Sequence, residues 1–107
     1  MSRTIPKAFV TAAWSKNKVE AEDMARKYCH EIVEKGFIPV CPVLNFSGVF
    51  DENDADSDKK RREMSDIMLK SCTCVFVCGN KRNDDVNADV GTAKRAKMGV
   101  YELSGVL

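Results

Sequence analysis

The run Cys74-Val75-Phe76-Val77-Cys78, closed by Gly79, limits what this chain can fold into more than any other segment. An extended strand sends alternate side chains to opposite faces, and here both sets are apolar. Both faces therefore need cover. Antiparallel sheets commonly leave one face wet, whereas parallel sheets carry helices on both surfaces. The segment is read as the central strand of a parallel sheet, and the rest of the chain supplies matching pieces. Lys7 to Ala13 is a short apolar first strand ended by Ser15, Lys16 and Asn17. Asn17 and Glu20 stand at capping-box spacing, and Ala21, Met24, Ala25, Tyr28 and Ile32 then follow helical spacing on one face. Gly36 supplies a left-handed helix end, and Phe37 to Cys41 form a brief second strand whose Pro39 suits an edge position.

Asn45 to Asp58 has no periodicity and is dense in Asp, Asn, Ser and Gly, so it is expected to be a long loop. Its acids Asp51, Glu52, Asp54, Asp56 and Asp58 are read as a solvated tip; they match no calcium-binding loop. Lys59 to Arg62 fit the charged outer face of a helix better than a phosphate patch, with Met64, Ile67, Met68 and Ser71 on the buried side. After the central strand, Gly79 to Asp85 is a polar turn. Val86, Val90, Ala93 and Ala96 then mark a short helix closed by Gly99, and Val100 to Leu103 a last strand. Strands alternating with helices imply right-handed parallel crossovers: a three-layer α/β domain, flavodoxin- or Rossmann-like, with about four strands.

At 107 residues the chain suits one domain spanning 1–107, with no repeat or linker. A hydrophobic share of 44% with 31% charged residues is that of a globular protein, and a net charge of +1 provides no bulk field to recruit nucleic acid or an anionic membrane. No apolar run approaches the roughly 20 residues of a membrane span, and Met1 to Lys7 lacks the apolar centre of a signal peptide, so the default address is the cytoplasm. The five cysteines, Cys29, Cys41, Cys72, Cys74 and Cys78, sit in apolar contexts and are expected to be reduced core residues. With His30 as the single histidine, no metal site is expected.

Ligands of open parallel sheets collect beyond the carboxyl ends of the strands, where strand order reverses. Two loops qualify. One is Thr11 to Ser15, containing Thr11, Ala12, Ala13 and Trp14; the other is Gly79 to Asp89. Trp14, the one tryptophan, serves either as the wall of a base-binding slot or as a lid on the core. Asp89 is read into the first turn of the last helix, about a turn beyond Asp84 and Asp85, either of which capping explains. Gly91, two positions on, weakens a helix interior by about 1 kcal/mol and so suggests close approach of a ligand.

These fragments, in order, resemble the nucleoside 2-deoxyribosyltransferase-like proteins, which include small domains of this size often encoded by bacteriophages; the likeness spans nearly the whole chain. That family's first strand ends in small residues, Pro and an aromatic, echoed by Val10-Thr11-Ala12-Ala13-Trp14 with Ala13 for Pro and Trp14 for Tyr. Its glycine followed by a Pro-rich strand matches Gly36-Phe37-Ile38-Pro39-Val40-Cys41-Pro42, and its later strand ends in Gly, as at Gly79. Its catalytic Glu stands in a Glu-x-Gly-x-Ala context that Asp89, Gly91 and Ala93 occupy here. The resemblance implies attack by the Asp89 carboxylate on the anomeric carbon of a nucleoside, release of the base, and a glycosyl-enzyme passed to water or a second base.

It further implies substrate contacts from the two loops and Gly91, no cofactor, and a homo-oligomer acting on a small nucleoside or nucleotide rather than on DNA, RNA or a membrane. Asp89 is one methylene shorter than the family's Glu, and Trp14 lacks the family's orienting hydroxyl. Three readings stay open: an N-glycoside enzyme with Asp84 or Asp85 contacting sugar or leaving group; a non-catalytic binder that sequesters or senses a nucleotide; and a domain acting only through a protein surface.

Overall fold

The computed structural model describes residues 4–50 and 54–103; the acids Asp51 and Glu52 lie outside the described residues. Four parallel strands form one sheet: β1 (Lys7–Ala12), β2 (Ile38–Val40), β3 (Cys74–Cys78) and β4 (Gly99–Leu103), in the order β2-β1-β3-β4. The chain steps from β1 to β2 on one side and returns to β3 on the other, so strand order reverses between β1 and β3. Pro39 does lie on an edge strand.

Helices cover both faces, as a doubly buried β3 requires: all five of its residues are buried. Ala8, Val10 and Ala12 of β1 and Cys74, Phe76 and Cys78 of β3 pack against Ala25, Tyr28 and Ile32 of α1 (Lys18–Glu34). The alternate residues turn the other way. Phe9 and Val75 meet Leu69 of α3 (Ala55–Lys70) and Ala93 of α4 (Asp84–Arg95), and Val77 meets Val86 and Val90. A short helix, α2 (Pro42–Asn45), follows β2. All five cysteines are unpaired, and four are buried. Among the described residues, no helix is long and apolar enough to cross a membrane.

The Asn17 side chain caps α1 by accepting from the Glu20 N–H at 3.1 Å. The second arm of the box runs through a relay: the Asn17 N–H donates to Ser15 Oγ, whose hydroxyl donates to the Glu20 carboxylate. The expected loop over 45–58 is shorter than its composition suggests. Asp54 caps α3 by accepting from the Asp56 N–H, and Asp56 and Asp58 fall in the first turn, where the helix dipole favours acids. Met64 and Ile67 are not on a buried side; they are 45% and 69% exposed, and Ser71 is exposed too. Of that expected face only Met68 packs inward; the C-terminal end of α3 docks on the sheet through Met68, Leu69 and then Cys72 beyond it, while its first half faces a cavity. The last helix does not run to Gly99. Ala96 is exposed, Lys97 takes the left-handed conformation at φ 58°, and Gly99 opens β4.

Gly79 has φ 81°, and a Cβ there would stand 2.9 Å from the Tyr28 hydroxyl oxygen. Gly79→Ala therefore combines backbone strain with a clash, and is expected to destabilise by about 2 kcal/mol or more in denaturant unfolding. Gly36→Ala, with φ 91° and open space around it, is expected to cost about 1 kcal/mol. Adding Tyr28→Phe to Gly79→Ala should recover part of the loss; no recovery would place the whole penalty in the backbone.

Candidate functional site

Beyond the carboxyl end of β1, next to the reversal of strand order, lies a cavity of about 600 Å³, within the size range of small-molecule sites. One wall begins where β1 ends. The Trp14 N–H donates to the Ala12 carbonyl at 2.9 Å, a bend two residues wide that turns the chain out of the sheet. The indole then lies 6.0 Å from the Tyr28 ring, tilted by 55°, and also lines the cavity. Trp14 is thus both lid and wall. Lys18, Ala21 and Glu22 of α1 continue this side. Val43 of α2, Phe46 and Phe50 close the next, the last two stacked edge to face at 5.3 Å. Ser47 fastens the corner by donating to the Glu22 carboxylate at 2.8 Å.

The opposite wall is polar. Asp58, Arg61, Arg62, Ser65 and Asp66 recur at helical spacing along α3 and face Asp85 and Asp89 of α4. Asn83 caps α4 by accepting from the Val86 N–H at 2.9 Å, which leaves Asp84 and Asp85 in the first turn and Asp89 in the second. Capping therefore accounts for neither Asp84 nor Asp85. Arg62 spans the two helices and donates to Asp85 at 2.6 Å; Arg61 pairs with Asp58 within α3.

Asp89, like Asp66, is half-buried in this wall, and the Thr11 hydroxyl donates to the Asp89 Oδ2 at 2.7 Å. Desolvation pushes the Asp89 carboxyl above the usual carboxylate range; the Thr11 bond opposes this, Asp66 and Asp85 add to it, and Arg62 offsets part. Burial drives thiols the same way, with Cys78 pushed up to about 12, and no thiol is among the residues lining the cavity. Among the described residues, no three His, Cys, Asp or Glu side chains come together in a group that could hold a metal ion.

Of the residues singled out from the sequence, Trp14, Asp85 and Asp89 line one cavity and Thr11 touches Asp89. Ala12 is packed in the core, Ala13 is half-buried, and Gly79 faces Tyr28; none is among the lining residues. Asp84 is exposed outside the cavity, and a Cβ on Gly91 would meet Arg95 of its own helix at 3.3 Å. The sequence assigns Asp58 to a solvated tip and Lys59 to Arg62 to an outer helix face. Asp58, Arg61 and Arg62 instead line the cavity with Ser65 and Asp66, which the sequence does not single out, as one stripe on α3. Its signal is the recurrence of polar residues at 58, 61, 62, 65 and 66 with few apolar partners.

The sheet order defines the class: an open α/β fold, here with a cavity next to the reversal of strand order. A solved 2-deoxyribosyltransferase from the psychrotolerant bacterium Bacillus psychrosaccharolyticus shares this fold, with a TM-score of 0.74 over 92% of this chain and 72% of that one, at 13% identity. A family model described as a domain of unknown function, DUF7768, matches residues 6–103, and the chain belongs to that family. A search among curated proteins returns no match.

Because folding raises the Asp89 pKa, the native state holds that proton more tightly than the unfolded chain. Its contribution to stability is complete below the unfolded value of about 3.9 and is lost as pH rises through the folded value. Ionised Asp89 is then a cost to the fold. Asp89→Asn, which keeps an acceptor for Thr11, is expected to raise the melting temperature at pH 7, with the gain shrinking toward pH 4. A lower melting temperature at pH 7 would show instead that the charge stabilises the native state.

Proposed function

We propose that the cavity binds a nucleoside or nucleotide and that the domain cleaves or transfers its N-glycosidic bond through Asp89. What carries the reading is the placement of a half-buried carboxylate and a tryptophan on facing walls of one cavity of suitable size. An indole offers a plane for a base, and the mixed charge of the other wall offers partners to sugar hydroxyls. The shared fold with a 2-deoxyribosyltransferase supports the same ligand class.

The Asp89 oxygen forms a bond to the anomeric carbon as the bond from that carbon to the base breaks. The base leaves with the electron pair and takes up a proton, and water or a second base then displaces Asp89. Desolvation of the carboxylate makes it a stronger nucleophile once ionised. Asp85, held by Arg62 at the rim, is the contact for the sugar or leaving group. The unit acts as one domain, without a cofactor, and as a homo-oligomer, since so small a core gains from burying further surface between subunits.

Incubation with 2-deoxynucleosides and their monophosphates is expected to release free base, read by chromatography, and Asp89→Asn to lower the rate at least about a thousandfold while the fold persists. The ligand should raise the melting temperature of both proteins. Trp14→Ala should weaken binding by about tenfold through loss of stacking. A ligand-dependent shift with no base release from wild type would make the domain a non-catalytic binder. No shift with any of these compounds would remove the pocket reading altogether.

A further inference from the structure

Strand β1 carries one polar side chain within its buried run, Thr11, which is 2% exposed. Alternation along the strand fixes its direction: Ala8, Val10 and Ala12 face α1, so Phe9 and Thr11 face α3 and α4. A hydroxyl at such a position needs a partner, because an unpaired buried donor costs about 1–3 kcal/mol. The partner is Asp89 Oδ2 at 2.7 Å, 78 residues away in sequence and on a different element.

We infer that Thr11 is the positioning residue of the Asp89 carboxylate, fixing which oxygen faces the cavity and how far the acid reaches. The inference rests on the reading of Asp89 as nucleophile, and its test does not require turnover. A threonine hydroxyl has one proton to give. Committed to Oδ2, it favours the ionised acid and ties that oxygen to the sheet, leaving Oδ1 for an incoming electrophile. Rotation about the side chain is restrained from a strand in the centre of the sheet, the most rigid support available. At 2.7 Å the reach of an aspartate is already matched, so the extra methylene of a glutamate would carry the oxygen past the hydroxyl. The cavity is therefore built for the shorter acid, and Asp89→Glu should lose the Thr11 bond rather than gain function.

The charged groups that act on Asp89 are Arg62 and Asp66 from α3 and Asp85 from α4; Lys16, Lys18 and Glu22 line the cavity from the β1 to α1 side. None changes in a Thr11 variant. The experiment is a carboxyl-carbon NMR titration of Asp89 in wild type, Thr11→Val and Thr11→Ser, with Thr11→Ala in reserve if valine disturbs folding. Valine or alanine is expected to raise the Asp89 midpoint by about one pH unit, and serine to keep it within a few tenths of wild type.

If base release is observed, its acid limb should move upward by the same amount in Thr11→Val, with kcat reduced and KM little changed, and serine should restore both. An unchanged midpoint in Thr11→Val, or a midpoint in Thr11→Ser displaced as far as in valine, overturns the inference. A moved midpoint without base release from any variant leaves the positioning role standing and overturns the enzymatic reading. Base release with an unmoved midpoint does the reverse.

Discussion

Burial of the two central strands on both faces is the constraint on which the rest of the molecule depends. Once β3 is apolar throughout, the chain has to supply cover above and below, and β1 has to serve two cores through alternate residues. Tyr28, Ile32 and Ala25 fill one side; Leu69, Ala93 and Val86 fill the other. The helices are consequences of this demand. So is the reversal of strand order between β1 and β3, because helices on opposite faces require crossovers that set out in opposite directions.

The cavity inherits its make-up from the same arrangement. It lies over the end of β1, so it draws an apolar wall from the α1 side and a charged wall from the α3 side. The charged wall is possible because the first half of α3 is not needed for the core. Leu69 and Cys72 anchor the helix, and the turns before them carry Asp58, Arg62 and Asp66 in place of packing residues. An acid such as Asp89 can then be half-desolvated beside both neutralising and opposing charge, which tunes a carboxylate without fixing it in one ion pair.

The architecture was legible in the sequence because its signals are local: the unbroken apolar run at 74–78, the helical spacing from Ala21 to Ile32, and glycines at the ends of elements. Pro39 marked an edge for a reason of backbone chemistry alone. The misreadings share a different cause. Met64 and Ile67 fit a helical face, but which face docks is decided by where α3 meets the sheet. The acids near 54–58 looked like loop because capping and solvation favour the same residues. Lys97, not a glycine, turns the chain after α4, since the path from α4 to β4 sets that conformation whatever residue occupies it. Of the two loops and the acid that the sequence singles out, Trp14, Ser15, Asp85 and Asp89 line the cavity, while Ala12, Ala13, Gly79 and Asp84 do not. The bond from Thr11 to Asp89 was not legible, because only strand parity and helix packing together bring residues 78 apart into contact.

Pro39 has a further effect on the sheet as a whole. In β2 the Ile38 N–H turns inward and donates to the Pro6 carbonyl, so the backbone of the next residue, Pro39, turns outward. That outward residue has no N–H, and the strand is only three residues long. The outer flank of β2 thus offers no donor to a further ladder, whereas β4 offers five residues without proline. The sheet is polar in its capacity to grow: one flank is chemically sealed, and any additional strand would have to join at the other.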